Sequence, residues 1–233
     1  MVKCGARYIL ITSRNSSKNR QTIQELEAQG PKVVIKTADL TNKQQIVGIR
    51  DYILKTMPPI GGVANGAMVQ VNSLFADLDY DVLQELLRSK VGGSVVLDEV
   101  FSHDDLDFFL LFSSISALTG QSTQANYAAA NNFMIALAFQ RRARTFPASV
   151  VDFGPIIGLG SIQRYESSGF YDITSVLRSL NYMPISERDL HYLLTEAVLV
   201  GKKNKLPEIT TGVEAGSSSI TFWHKSLLFP HIL

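Results

Sequence analysis

The residues of this chain that could do chemistry gather around one stretch, Phe112-Ser113-Ser114-Ile115-Ser116-Ala117-Leu118-Thr119-Gly120, followed by Ala125-Asn126-Tyr127-Ala128-Ala129-Ala130-Asn131-Asn132. An apolar run from Phe108 to Phe112 ends in two serines and a loop. A helix of small residues then begins almost at once, with a tyrosine in its first turn. Such a pattern carries hydroxyl groups to the mouth of a sheet and sets a phenol opposite them, a pairing suited to hydrogen bonding and proton exchange. Tyr127 and Asn131 are four apart and share one helix face. Ser114 precedes Tyr127 by thirteen residues, and Lys90 precedes Ser114 by twenty-four, on the preceding helix. Taken singly, these are a turn serine, a packed ring, a solvated lysine and an amide bonding local backbone. It is the set that points to a site.

The elements that must position this set alternate between β-branched runs and helical patterns, the signature of a parallel sheet covered on both faces. Strands are expected at 7–12, 32–36, 62–64, 107–112, 148–152 and 207–212. Helices are expected at 19–29, 43–55, 79–101 (one long helix despite Gly92-Gly93), 125–144 and 186–200. Ser186 with Asp189 three positions on is close to a capping box. The mixed polar and aromatic segment 158–184 lies between a strand and a helix, where a substrate lid would sit. The basic run Arg141-Arg142-Arg144 reads as a solvated helix end complementing the dipole, with an acidic partner surface as the alternative.

Bulk properties narrow the function. A chain of 233 residues suits one large α/β domain. A net charge of +1 gives no general nucleic-acid surface and no polybasic membrane anchor. The single cysteine, Cys4, forms no internal disulfide and suits a reducing interior. The four histidines are scattered, so no metal site is expected. No apolar run approaches the roughly 20 residues that span a bilayer, and the expectation is a cytoplasmic protein.

The Lys, Ser, Tyr and Asn set resembles the ketoreductase domains of polyketide synthases, within the short-chain dehydrogenase/reductase superfamily. There the helix reads Tyr-x-x-x-Asn and the lysine comes from the preceding helix, as Tyr127, Asn131 and Lys90 do here. The resemblance extends over nearly the whole chain. Thr12-Ser13-Arg14-Asn15 looks like the segment that holds the adenosine 2′-phosphate, for which a planar guanidinium is suited. Ala38-Asp39-Leu40 resembles the turn at the adenine, and Asn65, Gly66 and Ala67 stand where the family lines the nicotinamide ribose. Asp152-Phe153-Gly154-Pro155 resembles the wall of the nicotinamide. Phe222-Trp223-His224 and the rest of 213–233 resemble the end of a ketoreductase before the linker to a carrier domain. Together with the Asn-Gly-Ala-Met wording, that tail leans toward fungal highly reducing synthases.

The resemblance implies a Rossmann-like doubly wound α/β sheet, with residues 1–233 forming one domain. It also implies NADPH-dependent reduction of a β-ketoacyl thioester on an acyl carrier protein, with other synthase domains in cis. Tyr127 would donate a proton to the developing alkoxide. A phenol of ordinary pKa, roughly 10, does so best beside a cation, which Lys90 would supply. Ser114 would hold the carbonyl oxygen, and Asn131 would orient the lysine or a relay water. One part of the pattern is missing: no strand here leads into G-x-G-x-x-G. The sheet is therefore expected to lack its first strand, glycine-rich turn and most of the first helix, leaving two uncovered edges in mid-sheet. The chain is accordingly expected to be an excerpt of a larger synthase, a truncated gene product or a relic. Two further readings stand beside the enzyme domain: a catalytically silent structural domain, and a stand-alone reductase of a free small molecule. Residues 69–73 lack the Leu-Asp-Asp signature of one hydroxyl stereochemistry, and none is assigned.

Overall fold

The computed structural model describes residues 1–2, 5–15, 20–69, 73–157, 182–202 and 205–212. Of the expected lid only Tyr182, Met183 and Pro184 fall within these, and the expected tail 213–233 lies outside them.

Among the described residues six parallel strands alternate with helices. They are β1 (Tyr8–Ser13), β2 (Lys32–Thr37), β3 (Gly62–Asn65), β4 (Phe108–Ser114), β5 (Ser149–Phe153) and β6 (Glu208–Thr210). The helices are α1 (Arg20–Glu27), α2 (Lys43–Thr56), α3 (Tyr80–Leu87), α4 (Gly93–Val100), α5 (Ser116–Thr119), α6 (Ala125–Ala143) and α7 (Glu187–Val200). The sheet comes in two pieces, β1-β2 and β3-β4-β5-β6, with no ladder between β1 and β3. This is a partial Rossmann-like sheet, and its two unjoined edges lie where a missing central strand was expected to leave them.

Alternation along the strands makes two cores. Phe109, Leu111 and Val150 face α2, α4 and α6, packing with Ile46, Leu97, Met134 and Leu137. Leu110, Val151 and Phe153 face the other way, onto α7 through Ala197 and its neighbours. Each such Leu, Val or Phe side chain contributes about 1.5–3 kcal/mol by leaving water. Because the ladder pairs Leu111 with Val150 and Ser113 with Asp152, Ser113 and Asp152 continue the face that lies against α6.

Two helical expectations needed correction. The helix expected over 79–101 is continuous, but it contains a π turn at Arg88–Gly92 between α3 and α4. Gly93 lets this helix lie against the loop after β2, since a Cβ there would meet Leu40 Cδ2 at 2.7 Å. The basic run is also not a solvated helix end. Arg141 is 1% exposed and lies over the Phe109 ring, ion-paired with Asp98 of α4. Arg144 pairs with the same carboxylate at 2.7 Å, and Arg142 donates to the last carbonyls of α7, at Val200 and Gly201. The capping box at Ser186 and Asp189 is present.

Candidate active site

Lys90, Ser114, Tyr127 and Asn131 come from three elements that meet at the C-terminal end of β4. The π turn inserts one residue per turn relative to α-helical winding, which re-aims the side chains it carries. Lys90 sits in that turn, 3% exposed, and its Nζ donates to the Phe112 carbonyl at 2.7 Å. The ammonium also lies 5.3 Å from the centre of the Tyr127 ring. Burial drives the lysine pKa down to about 7, against an opposing pull from Asp152.

Tyr127 is in the first turn of α6, and its hydroxyl donates to the Met68 sulfur at 3.5 Å. Burial raises its pKa, while Asn131 and Ser114 beside it favour the phenolate. Ser114 ends β4, where its hydroxyl oxygen accepts from the Ser116 amide at 3.3 Å as the chain turns into α5. Asn131 is fully buried, and neither of its amide atoms is in hydrogen-bond geometry with a partner. The four residues expected to act together are therefore neighbours. Asn131 was expected to orient the lysine or a relay water; Lys90 itself donates to the backbone of β4 at Phe112.

The expected cofactor residues fall in two groups. Near the catalytic set, Asn65 at the end of β3 is buried. It donates to Ser94 Oγ at 2.9 Å and accepts from the Ala67 amide at 3.0 Å, which fixes the Asn65-Gly66-Ala67 turn. A Cβ on Gly66 would already touch the Phe112 ring at 3.4 Å. The Pro155 carbonyl accepts from Ile185, tying the segment after β5 to the start of α7. The second group, after β1 and β2, is exposed at Arg14 and half-buried at Ser13, Asp39 and Leu40. Ser13 bonds Asn15, and Arg14 reaches Glu85 of α3 at 3.3 Å. Asp39 accepts from Thr41, chiefly for which reason its pKa is lowered, and from Arg88 at 2.7 Å. Leu40 packs against Gly93.

Of Arg88, Met68 and Asp152, Arg88 is the one that sequence reasoning did not single out; Met68 and the buried Asp152 were read there only as members of the segments expected at the nicotinamide ribose and the nicotinamide wall. The Arg88 signal was available, since it lies two residues before Lys90 on the same helix. Among the described residues no group of His, Cys, Asp and Glu could hold a metal, and no helix is long and apolar enough to cross a membrane.

Two guanidinium groups at one end suit a phosphate. An orphaned buried amide and a phenol beside an ammonium suit a nicotinamide and a carbonyl at the other. The residues present are chemically compatible with the two ends of a nicotinamide dinucleotide; among the described residues none forms the glycine-rich turn for its diphosphate.

Comparison with known proteins identifies the family. A family profile described as "KR domain" matches residues 1–158. The chain is 58% identical over 235 residues to "Stereoselective keto-reductase af490" of Aspergillus fumigatus, covering all of this chain and 23% of that protein. It is 48% identical to the "PKS-NRPS hybrid synthetase psoA" of the same fungus, again across the whole chain but only 6% of the synthetase. Among solved structures, a ketoreductase domain from the bacillaene assembly line superposes with a TM-score of 0.78 at 25% identity, covering 90% of this chain and 50% of that one. The chain thus spans a small part of the curated relatives it matches.

Proposed function

We propose that this chain, which belongs to the ketoreductase (KR) domain family of fungal polyketide synthases, reduces a β-ketoacyl thioester to the β-hydroxyacyl thioester. The observation that carries the reading is the buried Lys90 ammonium 5.3 Å from the Tyr127 ring, at the end of the strand that bears Ser114. NADPH, when bound, supplies the hydride to the β-carbonyl carbon. Arg14, with Ser13, Asp39 and Leu40 around it, would hold the adenosine end. Asn65, Gly66, Ala67 and Pro155 would line the nicotinamide end.

The residues of the chain do the rest. Ser114 donates to the substrate carbonyl oxygen and holds it at Tyr127. Tyr127 gives its proton to that oxygen as negative charge develops, becoming a phenolate. Burial opposes that charge, and Lys90 offsets the opposition as long as it is an ammonium. Asn131, with two unpartnered polar atoms, holds a water that returns a proton toward the tyrosine. The substrate arrives on the phosphopantetheine arm of an acyl carrier protein, supplied by a neighbouring synthase domain, in the cytoplasm.

The test is mass spectrometry of a carrier-bound β-ketoacyl chain after incubation with the protein and NADPH, with the corresponding free ketone as a parallel substrate. Gain of two hydrogens on the carrier-bound chain, and little on the free ketone, is the expected result. Preference for the free ketone would support a stand-alone reductase instead. One observation favours a second reading, a catalytically silent domain: β1 and β3 do not pair, so the adenosine end is not joined to the catalytic sheet by a ladder. No reduction of either substrate would support it.

A further inference from the structure

The Tyr127 hydroxyl has one hydrogen to donate, and in this structure the Met68 sulfur accepts it at 3.5 Å. Met68 follows the Asn65-Gly66-Ala67 turn at the end of β3, and it is 38% exposed. The backbone on either side of it is tied down. The Ala67 amide donates to Asn65 Oδ1 at 3.0 Å, and the Ser73 amide donates to the Thr123 carbonyl, also at 3.0 Å, just before α6. The Tyr127 ring is no freer, since it stands in the first turn of α6 with the Lys90 ammonium 5.3 Å from its centre. What can move at this contact is the methionine side chain, which is unbranched, has three rotatable bonds and borders solvent.

We propose that Met68 is a gate and a specificity-determining residue for the reduction: its thioether stands where the substrate carbonyl oxygen must come, and the substrate displaces it. This rests on the proposed role of Tyr127 as proton donor. A carbonyl oxygen that takes the phenol proton must first accept its hydrogen bond, at about 2.7 Å. Carbonyl and sulfur therefore compete for one O–H. A thioether sulfur is a weak acceptor and a carbonyl a good one, so the exchange favours a ketone. A saturated acyl chain offers no acceptor at that carbon and leaves the sulfur in place.

The displaced side chain remains anchored to a fixed backbone, so it packs beside the carbons that flank the carbonyl. A branch on either of those carbons competes with it for space. Met68 thereby selects for ketones whose neighbouring carbons are unbranched.

The experiment has two arms. In protein isotope-labelled at the methionine methyl groups, the Met68 resonance is assigned by its loss in Met68→Leu. It is followed by NMR in the presence of NADP⁺, which cannot reduce a ketone, as a β-ketoacyl pantetheine thioester or its saturated counterpart is added. The expected result is a shift of the Met68 methyl with the ketone and little with the saturated chain. The second arm compares kcat/KM, with NADPH, for an unbranched β-ketoacyl thioester and for one bearing a methyl branch next to the ketone. The preference for the unbranched substrate is expected to fall about tenfold in Met68→Ala, as the room for one more carbon in an apolar pocket is worth. It is expected to remain in Met68→Leu, which keeps the bulk. Because Met68 is exposed, neither substitution empties the core. A Met68 methyl that stays unmoved while the ketone binds, or an equal preference in all three proteins, overturns the proposal and leaves the ketoreductase reading standing. Failure of the thioester to bind or to be reduced refutes that reading, and this proposal with it.

Discussion

The two halves of the sheet handle polar groups in opposite ways. Around β1 and β2 the charged side chains are exposed and satisfy one another: Arg14 with Glu85, Arg88 with Asp39 and, more loosely, with Glu85. β1 itself is half-exposed throughout. Around β4, β5 and α6 the polar side chains are buried and several lack partners: Asn131, Ser113 and both carboxyl oxygens of Asp152, with β5 buried at every residue. Exposed pairs are cheap to exchange for another anion or cation. Buried, unpartnered groups are expensive and shift each other's protonation. On the proposed function, the first half would let a phosphate displace its own carboxylates, and the second would hold charges that matter during reaction.

The largest effect should come from breaking the buried half. Lys90→Met is expected to lower kcat by about 10²–10⁴, the usual range for losing assistance to a proton transfer, measured as NADPH consumption with a β-ketoacyl thioester. The same variant should alter the pH dependence of stability. The folded Lys90 pKa, about 7, lies below its unfolded value of 10.5, so between those limits the unfolded chain binds more protons and wild-type stability rises with pH. In denaturant titrations, the stability difference of wild type over Lys90→Met should accordingly grow from pH 7 to 10.5. A constant difference would contradict the depressed pKa.

The next largest effect concerns folding rather than chemistry. Arg141→Ala leaves Asp98 partly unpaired in the interface of α4 and α6, which should cost about 3–5 kcal/mol in chemical denaturation. Within the exposed half, the effects should be smaller and confined to cofactor choice. Arg14→Ala or Arg88→Ala is expected to raise KM for NADPH about tenfold, as loss of one charge-assisted contact does, with KM for NADH nearly unchanged. Equal losses for both cofactors would place these guanidinium groups elsewhere. Smallest of all, Glu85→Gln should change stability by less than about 0.5 kcal/mol and lower KM for NADPH slightly, because it frees Arg14 and Arg88 from competition.

Much of this contrast was legible in the sequence, and the exceptions share a cause. Tyr127 and Asn131 could be paired from the helix period, Ser114 and Lys90 joined them through the family resemblance, and the parallel order of the strands followed from their alternation with helices. The π turn at Arg88–Gly92 could not be read, since α and π winding use the same residue types and differ by one inserted residue. Arg141 looked like a helix end facing water because its partner, Asp98, lies 43 residues away on another helix. The burial of Asp152 against α6 could not be read because its face depends on the register of β5 with β4, which no local pattern carries. Local spacing was readable, and pairings between elements were not.

The central claim is that Tyr127, beside the Lys90 ammonium, is the proton donor in a carbonyl reduction. The most direct measurement is the rate of NADPH oxidation with a β-ketoacyl thioester for wild type and for Tyr127→Phe, which keeps the ring and removes only the hydroxyl. The expected result is turnover by wild type and a loss of at least about 10² in kcat for Tyr127→Phe, with NADPH still bound by the variant. Equal turnover by the two proteins would contradict the account.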